Sequence, residues 1–215
     1  MPTSIEQTPP AGVLDLLARR RSSRAFSPRP LPEDVVESLV DAARWAPSYG
    51  NRQPWRFVVV QQREALERLH TTLTRGNAYA KVAPLLIAVC AHPDDGQTVD
   101  GKEYYLLDCG LALENLMLQA IGLGLHAHAM GGFSEHGARE ALGIPSAVRV
   151  VALCVIGYPG DVAELDERNQ AAEARPRVRF PVDDVRAWDS WTWPDHAEPS
   201  DLDEMVVAPG VPARP

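Results

Sequence analysis

Residues 104–121, YYLLDCGLALENLMLQAI, constrain this chain more than any other segment, because apolar side chains recur there around most of a helix's girth. A helix with one apolar stripe can lie on a surface, whereas one apolar nearly all round has to be covered on several sides, at the centre of a domain or between subunits. The rest of the chain supplies the cover. Helical periodicity predicts a short helix over 13–21 with Leu14 and Leu17 inward. A second helix is predicted over 32–45, opened by Pro32, Glu33 and Asp34 and striped by Val35, Val36, Leu39, Val40 and Ala43. Further helical patterns span 63–74 and 135–142, and β-rich apolar runs span 56–61, 85–91, 125–130 and 148–156. Helices and strands interleave without strict βαβ regularity.

At 215 residues and 23.5 kDa the chain has the length of one domain with room for extended arms. The reading is an N-terminal extension over 1–11, a domain over 12–185 and a C-terminal arm over 186–215. After Gly157-Tyr158-Pro159-Gly160 the composition turns to charges and prolines, so the region from 161 onward is expected to wrap something rather than build its own core. Phe180, Val182, Val185, Trp188, Trp191 and Trp193 are its anchors. Acids outnumber bases 29 to 21, which excludes a general nucleic-acid binder, since counterion release needs a broad basic surface. The apolar runs are too short to cross a bilayer and no leader-like start precedes them, so the expected location is the cytoplasm, with no membrane partner. Cys90, Cys109 and Cys154 lie singly in apolar runs, without the spacing of a zinc site or disulfide framework.

Two segments carry chemistry. In Arg19-Arg20-Arg21-Ser22-Ser23-Arg24, guanidinium forks and hydroxyls gather at one point, a donor set that suits a phosphate; cations closing a helix C-terminus explain the same residues. In Ala46-Pro47-Ser48-Tyr49-Gly50-Asn51-Arg52-Gln53-Pro54-Trp55, short polar side chains held between prolines suit the edge of a planar ring, and also an ordinary helix-to-strand turn. His126 and His128 share one face of a predicted strand, but without a third ligand they read as satisfied polar residues and no metal is expected. Gly122-Leu123-Gly124 follows a helix rather than a strand, so it is not a dinucleotide fingerprint. A Gly-x-Ser-x-Gly elbow and a His-Glu-x-x-His helix are both absent from the sequence.

Arg-Arg-Ser-x-Arg, then Ala-Pro-Ser-x-x-Asn-x-Gln-Pro-Trp-x-Phe entering a strand, resembles the FMN-dependent nitroreductase family. Asp108-x-Gly110 with Glu114-Asn115-Leu116, Met130-Gly131-Gly132-Phe133 and Leu142-Gly143-Ile144-Pro145 through Gly157-Tyr158-Pro159 resemble its central helix, flavin-edge loop and closing elements. The resemblance implies an α+β fold: a three-layer α/β/α sandwich around a mixed, mainly antiparallel sheet, with an extended C-terminal arm. It implies FMN held by Arg20, Arg21, Ser22 and Arg24, joined by Arg177 and Arg179, with Pro47, Ser48, Tyr49 and Asn51 approaching from the other subunit of a homodimer. Met130, Gly131 and Gly132 would line the ring, and the Gly131 backbone N–H would meet flavin N5. The implied activity is ping-pong hydride transfer from NADH or NADPH to a small-molecule acceptor such as a nitroaromatic, quinone or activated alkene. Reductive dehalogenation, flavin fragmentation and a non-catalytic FMN-binding or regulatory role are the alternatives on the same fold.

Overall fold

The computed structural model describes residues 11–193. Its contacts divide the described chain into a body, residues 14–173, and a second unit formed by the described residues on either side. The body opens with α1 (Asp15–Arg19) and α2 (Glu33–Arg44), followed by β1 (Trp55–Val60), α3 (Arg63–His70) and β2 (Leu85–Ala91). A small hairpin, β3 (Thr98–Val99) and β4 (Lys102–Glu103), leads into α4 (Tyr104–Gly122). Then come β5 (His126–Met130), α5 (Glu135–Leu142), β6 (Arg149–Gly157) and α6 (Glu167–Ala174). The second unit contains α7 (Val182–Val185), where the Trp193 indole N–H donates to the Asp184 carbonyl at 3.0 Å and packs edge-on against Trp191.

The main sheet has four strands in the order β1-β2-β6-β5, every ladder antiparallel. Among the described residues, its one parallel element is the isolated bridge of Ser22 to Ala127 on the outer edge of β5. All seven residues of β2 are buried, and strand alternation explains why the run is unbroken. Leu85, Ile87, Val89 and Ala91 face one core with α2 and α4, while Leu86, Ala88 and Cys90 face the other with α3, α5 and Tyr79. Three layers therefore form around a sheet that needs apolar residues on both faces. The predicted α+β sandwich is the observed one.

Most predicted elements fall within a residue or two of the observed ones, but α1 differs. It is only five residues long, and Leu14 and Leu17 are 71% and 42% exposed rather than inward. A helix of barely more than one turn has no continuous stripe to bury. The second predicted helix keeps its stripe: Val36, Leu39 and Ala43 are buried, and Val35 and Val40 pack against them. The helical pattern over 63–74 stops at His70, after which Arg75–Val82 turns as a 3₁₀ segment.

Two polar groups tie elements together. The Glu135 carboxylate accepts from Arg149 at 2.8 and 3.0 Å, from Arg139 at 2.9 Å and from the Val150 N–H at 3.0 Å, clamping the start of α5 to β6. These donors, Arg149 first, hold its pKa below the ordinary value. On β5, the His126 and His128 rings approach the Ala25 and Ser23 carbonyls at 2.9 and 3.1 Å. A carbonyl can only accept, so both Nδ1 atoms carry the proton. Burial, reinforced by Arg24, pushes His128 down to about 4, leaving it neutral at pH 7.

Glu135→Gln should lower stability by about 1 kcal/mol, read as a fall in the urea midpoint, because it weakens a charge-assisted cluster whose Arg149 side is half exposed and screened by water. For His128, the unfolded chain binds a proton between pH 6.5 and about 4 that the folded chain does not. Stability should therefore be fully present above that window and fall with pH through it, by on the order of 3 kcal/mol. Urea melts at pH 7, 5.5 and 4.5 should show this slope in the native protein and a shallower one in His128→Asn.

Candidate functional site

The arginine segment owes its position to the edge of β5. Ser22 bridges to Ala127, and the two histidines hold the carbonyls of Ser23 and Ala25, so residues 22–25 stay against the edge of the strand. Ala25 and Phe26 are buried, which anchors the segment's far end, while Ser22 stays exposed. The cations along it have different duties. Arg20 donates to the Ser22 hydroxyl at 3.3 Å and lies 3.8 Å from the Glu114 carboxylate. Arg21 donates to the Glu173 carbonyl at 3.1 Å, near the end of α6, where a cation suits the helix dipole. The Arg24 backbone N–H donates to the Glu173 carboxylate. Among the described residues, the Arg24 guanidinium makes no ion pair; its contact is the Tyr79 ring, 5.8 Å from the centroid. Its forked donors are oriented but unspent.

Met130 ends β5 as a buried residue, and the chain then turns through Gly131 and Gly132. The two glycines differ. A Cβ on Gly131 would meet nothing within 4 Å, whereas one on Gly132 would lie 2.8 Å from both Asn77 Nδ2 and Thr74 Oγ1. Gly131 is thus open to a flat ligand, and Gly132 is glycine because another segment presses against it.

The proline-bracketed turn lies elsewhere. Ser48 Oγ accepts from the Gln53 N–H at 2.9 Å, and Gly50, Asn51 and Gln53 all adopt positive φ, 54°, 57° and 50°. Asn tolerates that region better than most residues, but two non-glycine positions there mark a turn held by its surroundings. Part of that hold is Asp108 on α4, only 2% exposed, whose Oδ1 accepts from the Tyr49 N–H at 3.0 Å. Its other oxygen is buried without a partner. The Tyr49 ring packs on Tyr104, with centroids 5.0 Å apart. Pro47, Tyr49 and Asn51 are exposed.

The turn opens β1, one edge of the sheet, while the arginine segment and the glycine loop flank β5, the other edge. Following the antiparallel registers from Trp55 to Ala91, to Arg149 and on toward Met130, the turn and the glycine loop lie at the same end of the sheet. One chain therefore brings Arg20, Ser22, Arg24, Met130, Gly131 and Gly132 to one edge, and does not bring Pro47, Ser48, Tyr49 and Asn51 to them. Arg177 and Arg179 belong to the second unit, where Arg179 donates to the Val178 carbonyl at 2.7 Å. Sequence reasoning missed Thr74, Asn77 and Tyr79, which sit in or beside a 3₁₀ segment lacking any periodic signal, and it missed Glu173. His128 was read as a satisfied polar residue, without its partners.

The donor set fits a phosphorylated planar cofactor: an oriented guanidinium with unspent donors, an exposed hydroxyl, and a glycine with open space above it. The chain is similar to several known proteins. The model of the Nitroreductase family matches residues 17–91 and 73–158. A protein of Archaeoglobus fulgidus, provisionally named NADH dehydrogenase/NAD(P)H nitroreductase, is 34% identical over 158 residues, covering 72% of this chain and 89% of its own. The NADH dehydrogenase of Thermus thermophilus is 30% identical over 207 residues, covering 79% and 92%. Among solved structures, an oxidoreductase containing FMN superposes with a TM-score of 0.76 at 33% identity, over 86% of this chain and 96% of that one. A nitroreductase family protein of Clostridium difficile gives 0.69 at 29% identity, over 82% and 97%. With the family's model spanning most of the body and relatives of this identity matched over nearly their whole length, the chain belongs to the nitroreductase family of oxidoreductases.

Proposed function

We propose that this oxidoreductase is a homodimeric, FMN-dependent enzyme that oxidises NADH or NADPH and reduces a small-molecule acceptor, a nitroaromatic, quinone or activated alkene, in the same cleft. The observation that carries the reading is the Arg24 guanidinium over the Tyr79 ring, in the short segment that also holds Arg20 and Ser22, on the sheet edge that carries Gly131. FMN, when bound, would supply the two-electron hydride chemistry that links the nicotinamide and the acceptor in two ping-pong half-reactions.

The chain's own residues bind, orient and polarise. Arg20, Arg21, Ser22 and Arg24 would hold the phosphate and pyrimidine side, where cations stabilise added negative charge. The family resemblance gives Arg177 and Arg179 a cofactor-binding role as well. Gly131 would offer a backbone N–H to N5, with no side chain to obstruct a stacked substrate. Pro47, Ser48, Tyr49 and Asn51, placed on the opposite edge of the sheet, would serve the site of a second copy. That requirement gives a role to the exposed leucines 106, 107 and 111 on α4, a helix otherwise deeply buried. An isologous dimer would cover them and complete two sites at once. The cysteines, each buried singly, suit a reducing cytoplasm.

The purified protein should be yellow, with oxidised-flavin absorbance that bleaches on anaerobic addition of NADH or NADPH; a flavin reduced by neither would defeat the enzyme reading. Arg24→Ala should weaken FMN binding about tenfold or more, corresponding to roughly 1.5–3 kcal/mol for a lost charge-assisted contact. Unchanged affinity in a folded variant would remove Arg24 from the phosphate site.

A further inference from the structure

A chain of hydrogen bonds runs between the Gly131–Gly132 loop and the Ser22–Arg24 segment. At one end, the Gly132 carbonyl accepts from the Thr74 N–H at 3.0 Å, the Thr74 hydroxyl at 2.9 Å and Asn77 Nδ2 at 2.9 Å. Asn77 Oδ1 takes the Tyr79 hydroxyl at 3.3 Å. The Tyr79 oxygen lies 3.1 Å from His128 Nδ1, which lies 3.1 Å from the Ser23 carbonyl. One proton assignment satisfies every contact: His128 Nδ1–H is shared between the Ser23 and Tyr79 oxygens, Tyr79 O–H donates to Asn77, and Asn77 N–H donates to Gly132.

The surroundings make this chain stiff. Tyr79 is 6% exposed and stacks on His128 with centroids 5.2 Å apart, with Phe26 at 6.4 Å and the Arg24 guanidinium nearby. Hydrogen bonds in such a shielded setting are stronger than in water, and leaving one end unpaired costs more. Burial also pushes the Tyr79 phenol far up, so it remains a donor across the physiological range. The close approach needs glycine at 132, since any Cβ would meet Asn77 and Thr74 at 2.8 Å.

We infer that Asn77, Tyr79 and His128 are positioning residues that lock the Ser22–Arg24 segment and the Gly131–Gly132 loop into one unit, keeping the anion-holding and ring-facing ends of the site at a fixed separation. The role in flavin binding rests on the function proposed above; the lock does not.

Tyr79→Phe removes the hydroxyl and leaves the ring stack, so it is the least disruptive probe. Hydrogen exchange of the purified variant should quicken about tenfold at the amides of both 22–25 and 131–134 while β2 is unchanged, and FMN titration should show binding weakened about tenfold. Asn77→Ala should add less in the Tyr79→Phe background than in the native protein, since both cut the same chain. The inference is overturned if only one segment loosens, if the two substitutions act additively, or if both segments loosen with no change in FMN affinity. A native protein that binds no FMN would instead defeat the flavin reading, and the exchange data would still decide whether the lock exists.

Discussion

The placement of the candidate site depends on how the free edge of β5 is closed. Among the described residues that edge pairs with no full strand; Ser22 makes a single bridge, and the imidazoles of His126 and His128 take the carbonyls of Ala25 and Ser23. Side chains thus do the pairing that a strand's backbone would otherwise do. This keeps the arginine-bearing segment close to the sheet without a full ladder of backbone hydrogen bonds. The neutrality of His128 belongs to the same arrangement, because a charged imidazole beside Arg24 would oppose the very cations it positions.

Behind that edge the two cores supply rigidity. β2 and β6 are buried on both faces, and α4 packs along one of them while presenting Leu106, Leu107 and Leu111 outward. A sheet whose central strands serve two cores cannot shift register without turning every side chain into the wrong layer. Its two edges are therefore fixed relative to one another. One chain thus holds the arginine segment and the proline-bracketed turn on opposite edges of the sheet.

Much of this was legible in the chain. The unbroken run of β2 and the all-round apolarity of α4 announce buried central elements, and the capping acids of α2 and the glycine after α5 mark helix ends that the structure places within a residue or two. Guanidinium forks and proline-bracketed polar side chains are recognisable as donor sets from residue identity alone. Leu14 and Leu17 were misjudged because periodicity over so short a stretch cannot distinguish a buried stripe from an exposed turn. Asp108 was visible only as part of a motif; that its carboxylate holds the Tyr49 amide is a contact across 59 positions.

Residue identity and spacing by themselves determined the layered class, the central helix and the donor chemistry of Arg20 to Arg24 and of Pro47 to Asn51, because hydrophobic period and functional-group type are local properties. Only the tertiary structure decided that these two segments lie on opposite edges of one sheet, that Arg21 closes α6 while Arg24 keeps its guanidinium unspent, and that Asn77, Tyr79 and His128 join the glycine loop to the arginine segment. Those facts depend on strand order and on contacts between residues far apart in the chain, and no local pattern encodes which distant partner a carbonyl or an imidazole will find.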